Sequence, residues 1–430
     1  MHNLDISLEH ITKVEGAANV EVKVRDGKVE SAQFEIKEQK RFYTKAIEGK
    51  PLMAVPQLLS RICGTCSNAH ILASIEACEH AAGIVPSEQT MVLRTLTMDG
   101  LNVRDHALHL YLFVVPDMVG KDNFLELDEN DPAQHQMLHD AFDIKAAGNF
   151  LAELVAGRSI HALYPTLGGF LKFPDKAGCE LAVKKLEAVR PAVLRTVKLF
   201  AEAPFHLDRK TAFMALVPKD KFGFIDGEIH DSFGHVVPES GFRDHLEHVV
   251  LWNSTASAYA HPNKQAYMVG SLARVNLAKD LLHPKTKESL KETLKLFPST
   301  DIFHNNLAQA IEILHCLDEA VEILSTREFK PEPLVKAAPR AGVGIGVVEA
   351  PRGTLYHKVE TDAKGNVVKG EVIVPTNQNQ LNMQEDIAKV VQDNLDKMTK
   401  EEIVHEIEKL VRAYDPCMSC AAHFLKVNWA

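Results

Sequence analysis

The chain has 430 residues, of which 46% are hydrophobic and 25% are charged, and its formal net charge is -10. This size permits a large core in one domain or in two closely packed ones, and the acidic balance without a basic cluster argues against nucleic-acid binding. The longest apolar run, Leu108 to Val115, is too short to span a bilayer. The N-terminus lacks the basic and apolar segments of a signal peptide.

Strand patterns begin the chain, and helical patterns follow. Residues 19–24 and 29–36 alternate apolar and polar side chains around an Asp26-Gly27 turn, which predicts a β-hairpin. After Pro56 the periodicity predicts helices over 68–82, 88–115, 132–156, 176–203, 285–296 and 302–327, with loops near 164–174 and 217–240. Strands over 342–348, 355–361 and 367–374 precede a last helical block over about 380–413.

This order of elements predicts an α+β fold that is predominantly α-helical, with small β-sheets near both ends. No internal repeat or low-complexity linker divides the chain, so we expect a single domain over 1–430. Its expected parts are an N-terminal β region (1–55), a helical core (56–335), a β region (340–380), and a C-terminal helix with a metal-ligand motif (381–430).

Four of the seven cysteines form two C-x-x-C pairs at opposite ends of the chain: Cys63 with Cys66, followed by His70, and Cys417 with Cys420, followed by His423. Free paired thiols favour a reducing compartment, so we expect a cytoplasmic protein, although export or membrane attachment through a partner stays open. We expect the first pair and its histidine to share one helix face.

The second cysteine pair follows an Asp-Pro sequence that is typical of a helix start, so we expect Asp415 to be an N-cap. Four thiolates are soft ligands that suit zinc, iron–sulfur, nickel or iron. Structural zinc is the common fate of two such pairs, but it usually fastens a small module, whereas this chain is long enough to have a core of its own.

The two cysteine segments, 61–70 and 415–423, resemble the two signature motifs of the large subunit of nickel–iron hydrogenases, and the resemblance covers nearly the whole chain. Further segments that resemble the family lie at 12–16, 104–109, 157–161 with Gly168-Gly169, 349–353, and 374–376 with Asn379. The resemblance implies the nickel–iron hydrogenase large-subunit fold, in the compact cytoplasmic multi-subunit branch of the family.

The resemblance also implies a role for each matching residue. Cys63 and Cys417 would be terminal ligands of nickel, and Cys66 and Cys420 would bridge nickel to an iron that carries CO and cyanide. Further residues would surround the metals: Arg352, Asp105 and Asp415 as a polar shell, Pro351 and Thr376 as contacts of the cofactor, and His70 as a hydrogen-bond partner of a bridging cysteine sulfur.

The implied reaction is reversible, heterolytic cleavage of H2. Its proton would pass to a terminal cysteine sulfur or to Arg352, with Glu15 as the relay. The implied partners are an iron–sulfur small subunit, further electron-transfer subunits, a maturation protease and nickel-insertion factors. Two alternatives stay open: a regulatory homologue that senses H2, and a structural zinc protein.

Two features bear on a second metal and on maturation. The family commonly has a glutamate at the position of Thr44, where it binds a magnesium-like ion together with the histidine that corresponds to His423. Threonine is a poor ligand for such a hard cation, so the ion is absent, its site is altered, or Glu48 compensates. The seven residues after His423 resemble the tail that the maturation protease removes in this family.

Overall fold

The computed structural model describes residues 3–422. An antiparallel sheet of three strands opens the fold, in the order β1 (Leu4–Leu8), β2 (Ala18–Arg25) and β3 (Lys28–Ile36). Asp26 and Gly27 both have positive φ, 50° and 73°, as a tight hairpin turn requires. The predicted hairpin is therefore confirmed, and β1 adds a third strand within the expected N-terminal β region.

Helices dominate the middle of the chain, as predicted. They are α1 (Tyr43–Ala46), α2 (Val55–Leu59), α3 (Ser67–Ala82), α4 (Glu88–Leu108), α5 (Val115–Met118), α6 (Pro132–Ala156), α7 (Lys176–Ala201), α8 (Ser271–Ala278), α9 (Pro284–Ser289) and α10 (His304–Thr326). A π-helical turn, His109–Val114, joins α4 to α5 within the predicted helix 88–115. The predicted helix 285–296 is instead α9 followed by a short 3-10 helix, Thr293–Leu296.

Close helix crossings fix the middle of the core. α4 packs between α6 and α10, and both of these also pack against α7. A Cβ atom added to Gly148 of α6 would lie 2.7 Å from the backbone nitrogen of Arg104 in α4. This glycine lets the two backbones touch beside Asp105, which therefore has a rigid support.

Short strands form a region that the sequence pattern did not predict. A four-stranded sheet has the order β11-β6-β7-β8, and a separate hairpin joins β9 to β10. These strands are β6 (Ala212–Val217), β7 (Glu228–Asp231), β8 (Val236–Val237), β9 (Glu247–Val249), β10 (Ala258–Ala260) and β11 (Tyr267–Met268). The prediction of a loop over 217–240 is thus wrong in part. The predicted loop over 164–174 contains a two-residue ladder, β4 (Pro165–Thr166) with β5 (Gly169–Phe170).

The C-terminal part combines a second antiparallel sheet with three helices. The sheet has the order β12 (Gly342–Ala350), β13 (Gly353–Thr361) and β14 (Val367–Ile373), as predicted. The predicted helical block is divided into α11 (Pro375–Asn394) and α12 (Lys400–Ala413), and a last short helix, α13 (Met418–Ala421), follows. Thr399 and Glu402 form a capping box, which explains why α12 begins anew.

The two ends of the described chain meet. Glu15 forms a parallel β-bridge with Cys417, and the N–H of Arg41 donates to the carbonyl of Ala422 at 3.0 Å. One hydrophobic core cluster contains buried residues from Ile6 to Ala422. Among the described helices, none has the length and apolar character to cross a membrane.

Candidate metal centre

The four paired cysteines meet inside the protein, although about 350 residues separate the pairs. The sulfur atoms of Cys63 and Cys417 are 3.4 Å apart, and those of Cys66 and Cys420 are 3.1 Å apart. All four sulfur atoms lie within 4.8 Å of one another, and each residue is at most 3% exposed. The fold thus creates a compact, buried set of four soft ligands.

The local backbone differs from the expectation at both pairs. Cys63 is extended, with φ -142° and ψ 152°, and Cys66 is the N-cap of α3, so both thiols precede the helix instead of sharing its face. Cys417, and not Asp415, is the N-cap of α13, so the predicted cap is wrong. Asp415 has φ +50°, and its carboxylate accepts from Gln309 Nε2 at 3.0 Å.

The thiols differ in acidity. Hydrogen bonds from the thiols of Cys417, Cys420 and Cys66 hold the pKa of Cys63 well below its usual range. Burial raises the pKa of Cys417 and Cys420. Four buried thiols cannot all ionise without a cation beside them, and binding a soft metal would remove their protons. The donor set therefore fits the nickel–iron group that the resemblance implies.

Arg352 places a fixed positive charge beside the sulfur atoms. Its Nη1 donates to Asp105 Oδ2 at 2.7 Å, and its Nη2 lies 2.8 Å from Asp415 Oδ1. Burial alone would lower the pKa of Arg352, but these carboxylates outweigh it and raise the pKa well above its usual range. Its buried Nε has no hydrogen-bond partner among the described residues, so it is free to donate to a bound group.

Glu15 reaches the second pair from the opposite end of the chain. Its Oε2 accepts from the thiol of Cys417 at 3.0 Å and from the N–H of Ser419 at 3.0 Å. Its own carbonyl accepts from the N–H of Met418 at 3.0 Å. The carboxylate is therefore held in direct contact with one of the metal-binding sulfur atoms.

A row of hydrogen-bonded side chains ends at the sulfur of Cys420, the other cysteine of the second pair. His70 Nε2 lies 3.6 Å from Cys420 Sγ, and His70 Nδ1 lies 3.1 Å from His357 Nε2, whose Nδ1 lies 2.9 Å from Ser74 Oγ. When Cys420 is a metal-bound thiolate its sulfur can only accept, so Ser74 then donates to His357, His357 to His70, and His70 to the sulfur. The prediction for His70 agrees with this contact, whereas His357 was missed because it belongs to no motif segment.

An internal cavity lies beside the cysteines. Its lining residues are Cys66, His70, Ala350, Arg352, Leu355, Pro375, Thr376, Cys417 and Cys420. The hydroxyl oxygen of Thr376 accepts from the N–H of Cys417 at 2.8 Å, which leaves its own proton for a group in the cavity. Pro351 is not part of the lining, and its carbonyl accepts from Arg274 Nη2 at 3.1 Å.

Two arginines that sequence reasoning missed hold the cysteine segments together. Arg41 Nη2 donates to the carbonyl of Ile62 at 2.8 Å and to that of Ser419, so it joins both segments. Arg104 donates to the carbonyl of Thr65, between the first two cysteines. Arg104 lies in a segment that resembles the family, but nothing in the sequence signals the role of Arg41.

The contacts of Thr44 and Glu48 do not test whether a magnesium-like ion binds beside the second cysteine segment. Glu48 pairs with Lys45 at the surface, and Thr44 lies in α1. His423 and the seven residues after it lie outside the described part of the chain. The three alternatives for this ion, that it is absent, that its site is altered or that Glu48 compensates, therefore stay predictions.

Residues 43–152 and 263–423 match the family described as nickel-dependent hydrogenase. The chain is 32% identical to sulfhydrogenase 1 subunit alpha of Pyrococcus furiosus, over 99% of each chain. It is 28% identical to the HoxS subunit beta of the NAD-reducing hydrogenase of Cupriavidus necator, over 97% of this chain and 94% of that one. The crystal structure of an NAD+-reducing [NiFe]-hydrogenase in the H2-reduced state has a TM-score of 0.88 at 24% identity, and covers 98% of this chain and 99% of that one. The similarity to this crystal structure shows that the chain has the same fold.

Proposed function

The chain belongs to the nickel-dependent hydrogenase family, and from this premise we propose that it is the catalytic large subunit of a nickel–iron hydrogenase. It is an oxidoreductase that acts on hydrogen and cleaves H2 reversibly into protons and electrons. One observation carries this proposal: four buried thiols from the two ends of the chain converge beside an ion-paired arginine.

The cysteines would hold the metals as the family motifs imply. Cys63 and Cys417 would bind nickel, and Cys66 and Cys420 would bind both nickel and iron. When bound, the nickel–iron group supplies the redox and Lewis-acid chemistry that activates H2. The cavity supports a further proposal, that the iron carries CO and cyanide, because Thr376 and Arg352 each offer a spare donor there.

The surrounding side chains would move the proton and hold the charge. Cys417 Sγ is the atom we assign as proton acceptor, because Glu15 Oε2 lies 3.0 Å away and can take the proton onward. Arg352 is the poorer base, because Asp105 and Asp415 raise its pKa and keep it charged. His70 would orient the sulfur of Cys420 through the hydrogen bond that His357 supports.

Partners and location complete the proposal. An iron–sulfur small subunit and further electron-transfer subunits would take the electrons, since the relatives are themselves subunits of hydrogenases. A cytoplasmic location is consistent with the seven buried cysteines, none of which forms a disulfide within the described residues. A maturation protease would remove the residues after His423 once nickel-insertion factors have acted, and the intact mass of the nickel-loaded protein tests this step.

Hydrogen uptake with an artificial electron acceptor tests the proposed activity. The anaerobically purified complex should reduce the acceptor under H2, and Cys417→Ser should abolish this reduction, because a nickel ligand is lost. Cys179→Ser is the matched control, because Cys179 lies in α7, away from the four-cysteine cluster, and it should retain activity. A wild-type complex that holds nickel and iron but does not turn over would favour the H2-sensing alternative.

A further inference from the structure

A second cluster of metal-ligand side chains lies in the part of the chain that folds into short strands. We call residues 228–261 the histidine lobe. Asp231 ends β7, His235 precedes β8, His245 ends the 3-10 helix Glu239–His245, and His261 directly follows β10. One ligand atom from each of the four lies within 4.8 Å of the others. All four fall outside the ranges 43–152 and 263–423 that match the hydrogenase family.

Three imidazole nitrogens converge on one carboxylate oxygen. Asp231 Oδ2 lies 2.8 Å from His235 Nδ1, 2.8 Å from His245 Nε2 and 3.3 Å from His261 Nε2. The other oxygen, Oδ1, accepts from the N–H groups of Phe233 and His235, which fixes the carboxylate. A tetrahedral ion with bonds of about 2.0–2.1 Å sets its ligands roughly 3.3 Å apart. His261 Nε2 already lies at this distance from Asp231 Oδ2, whereas the two 2.8 Å contacts would lengthen by about 0.5 Å on binding.

One of these nitrogens is buried without a hydrogen bond, and its 3.3 Å contact with Asp231 Oδ2 is the longest of the three. Asp231 and His261 are each 5% exposed, and His261 Nε2 makes no hydrogen bond within the described residues. An unsatisfied buried polar atom costs free energy, and a cation at this point would satisfy it. On binding, His261 Nδ1 would carry the ring proton, so that the ring gives up its long 3.3 Å contact with the N–H of Asn263.

We propose that Asp231, His235, His245 and His261 form a second metal site, which binds a divalent ion of the zinc type and fastens the histidine lobe. Imidazole and carboxylate ligands in a closed, four-coordinate arrangement suit Zn²⁺. The ligands come from the β7–β8 turn, the 3-10 helix Glu239–His245 and the residue after β10, and these segments also contribute Ile229, Phe242 and Tyr259 to a second hydrophobic core cluster. The ion would therefore join three segments of the histidine lobe, and its role is independent of the hydrogen chemistry.

Zinc titration of the whole complex tests this site. The complex is purified anaerobically, treated with a chelator, and then given Zn²⁺ alone, with bound zinc and the unfolding temperature as readouts. Wild type should retain one zinc per chain against gel filtration and unfold at a higher temperature with zinc. His245→Gln and Asp231→Asn should weaken this binding by at least about 100-fold and lose the thermal shift.

Two further variants keep the test decisive. His230→Gln changes the neighbour of Asp231 in β7, outside the cluster, and should behave as wild type. His235→Gln removes a ligand whose side chain is 56% exposed, so it should fold normally and still lose the zinc.

Cobalt distinguishes the two metal centres. Co²⁺ in the histidine lobe should show the visible bands of a tetrahedral nitrogen and oxygen site, without the near-ultraviolet charge-transfer bands of cobalt thiolates. The proposal is overturned if wild type retains no zinc, if His235→Gln and His245→Gln retain as much as His230→Gln, or if the bound cobalt carries thiolate bands.

Discussion

Glu15 is the residue on which the proposed proton path depends most directly. Its Oε2 contacts the thiol of Cys417 and the N–H of Ser419, both at 3.0 Å. A glutamine at this position keeps an oxygen that accepts from Ser419, so the local backbone should survive. The amide cannot take up a proton, however, so the change isolates the acid–base role from the structural one.

Glu15→Gln should therefore lower H2 turnover by about 100-fold or more, the usual range for losing a general acid or base. Nickel and iron contents should stay at the wild-type level, because no metal ligand changes. Glu21→Gln, at an exposed position of β2, is the matched control. If Glu15→Gln turns over within twofold of Glu21→Gln, Glu15 is not the relay.

The residues of the metal centre show which contacts the cysteine motifs could predict and which they could not. The spacing and resemblance identified Cys63, Cys66, Cys417 and Cys420, which the fold brings together. Asp415 was wrongly expected to cap a helix, because the sequence shows an Asp-Pro start but not the positive φ that turns its carboxylate toward Arg352.

His357 and Arg41 escaped notice for a different reason. Each acts through a partner that is remote in sequence: His357 contacts His70, 287 positions away, and Arg41 contacts Ser419, 378 positions away. Local patterns carry no information about such pairs.

At the scale of elements, β12 lies directly on α3. Gly342, Gly344 and Gly346 recur every two residues, and a Cβ on each would overlap the carbonyl oxygens of Ala81, Ala77 and Ala73, which recur every four residues. Two strand residues advance about 6.6 Å and four helix residues about 6.0 Å, so the two repeats stay in register. This contact fixes α3, whose N-cap is Cys66.

Gly344→Ala should force the strand and the helix apart, and we expect a loss of about 3 kcal/mol in the free energy of unfolding. Nickel content should also fall, because α3 would carry Cys66 away from its partners. Val343→Ala alters a 56% exposed position of the same strand and should change stability by less than about 0.5 kcal/mol. Equal unfolding temperatures for the two variants would show that this contact does not hold α3.

The 3-10 helix Glu239–His245 gives the protein a pH-dependent stability. Burial raises the pKa of Glu239 to about 8, and Asp226 adds to this. Burial and the charge of Glu239 raise the pKa of Glu76 in α3 as well. A carboxyl group with a raised pKa binds its proton on folding, so its contribution is complete below its unfolded pKa of about 4.3 and is lost as pH rises toward 8.

Glu239 should therefore make the protein less stable as pH rises from about 5 to 8. Relative to wild type, the unfolding temperature of Glu239→Gln should shift upward across this range, because the amide stays neutral. Glu228→Gln, at an exposed position of β7, should leave the slope unchanged. Thermal unfolding of wild type and of the two variants across this pH range measures these slopes. An unaltered slope in Glu239→Gln would contradict the assignment.

Element length decided which parts of the fold the sequence could predict. Long amphipathic segments such as α6 and α7 repeat their pattern over 25 and 26 residues, and both were predicted closely. Strands β7 and β8 have four and two residues, too few for a period to be visible. β7 pairs with its chain neighbours β6 and β8, and only the parallel pairing of β6 with β11 joins segments that are distant in sequence.

At the scale of the molecule, the metal centre exists only because the two ends of the chain meet. The contacts that join them at the metal centre include the bridge of Glu15 with Cys417 and the bonds from Arg41 to Ile62 and Ser419. The large core then holds these segments in place, because it contains buried residues of every major element. The four thiols can therefore meet only when the whole chain is folded. A small module fastened by zinc would not need so large a fold to bring its cysteines together.

Metal analysis combined with infrared spectroscopy of the anaerobically purified complex tests whether the four cysteines hold a nickel–iron group. We expect one nickel and one iron per chain, with bands from CO and cyanide, and we expect their loss in Cys417→Ser but not in Cys179→Ser. Zinc retained by the four cysteines, without nickel and without those bands, would contradict this expectation.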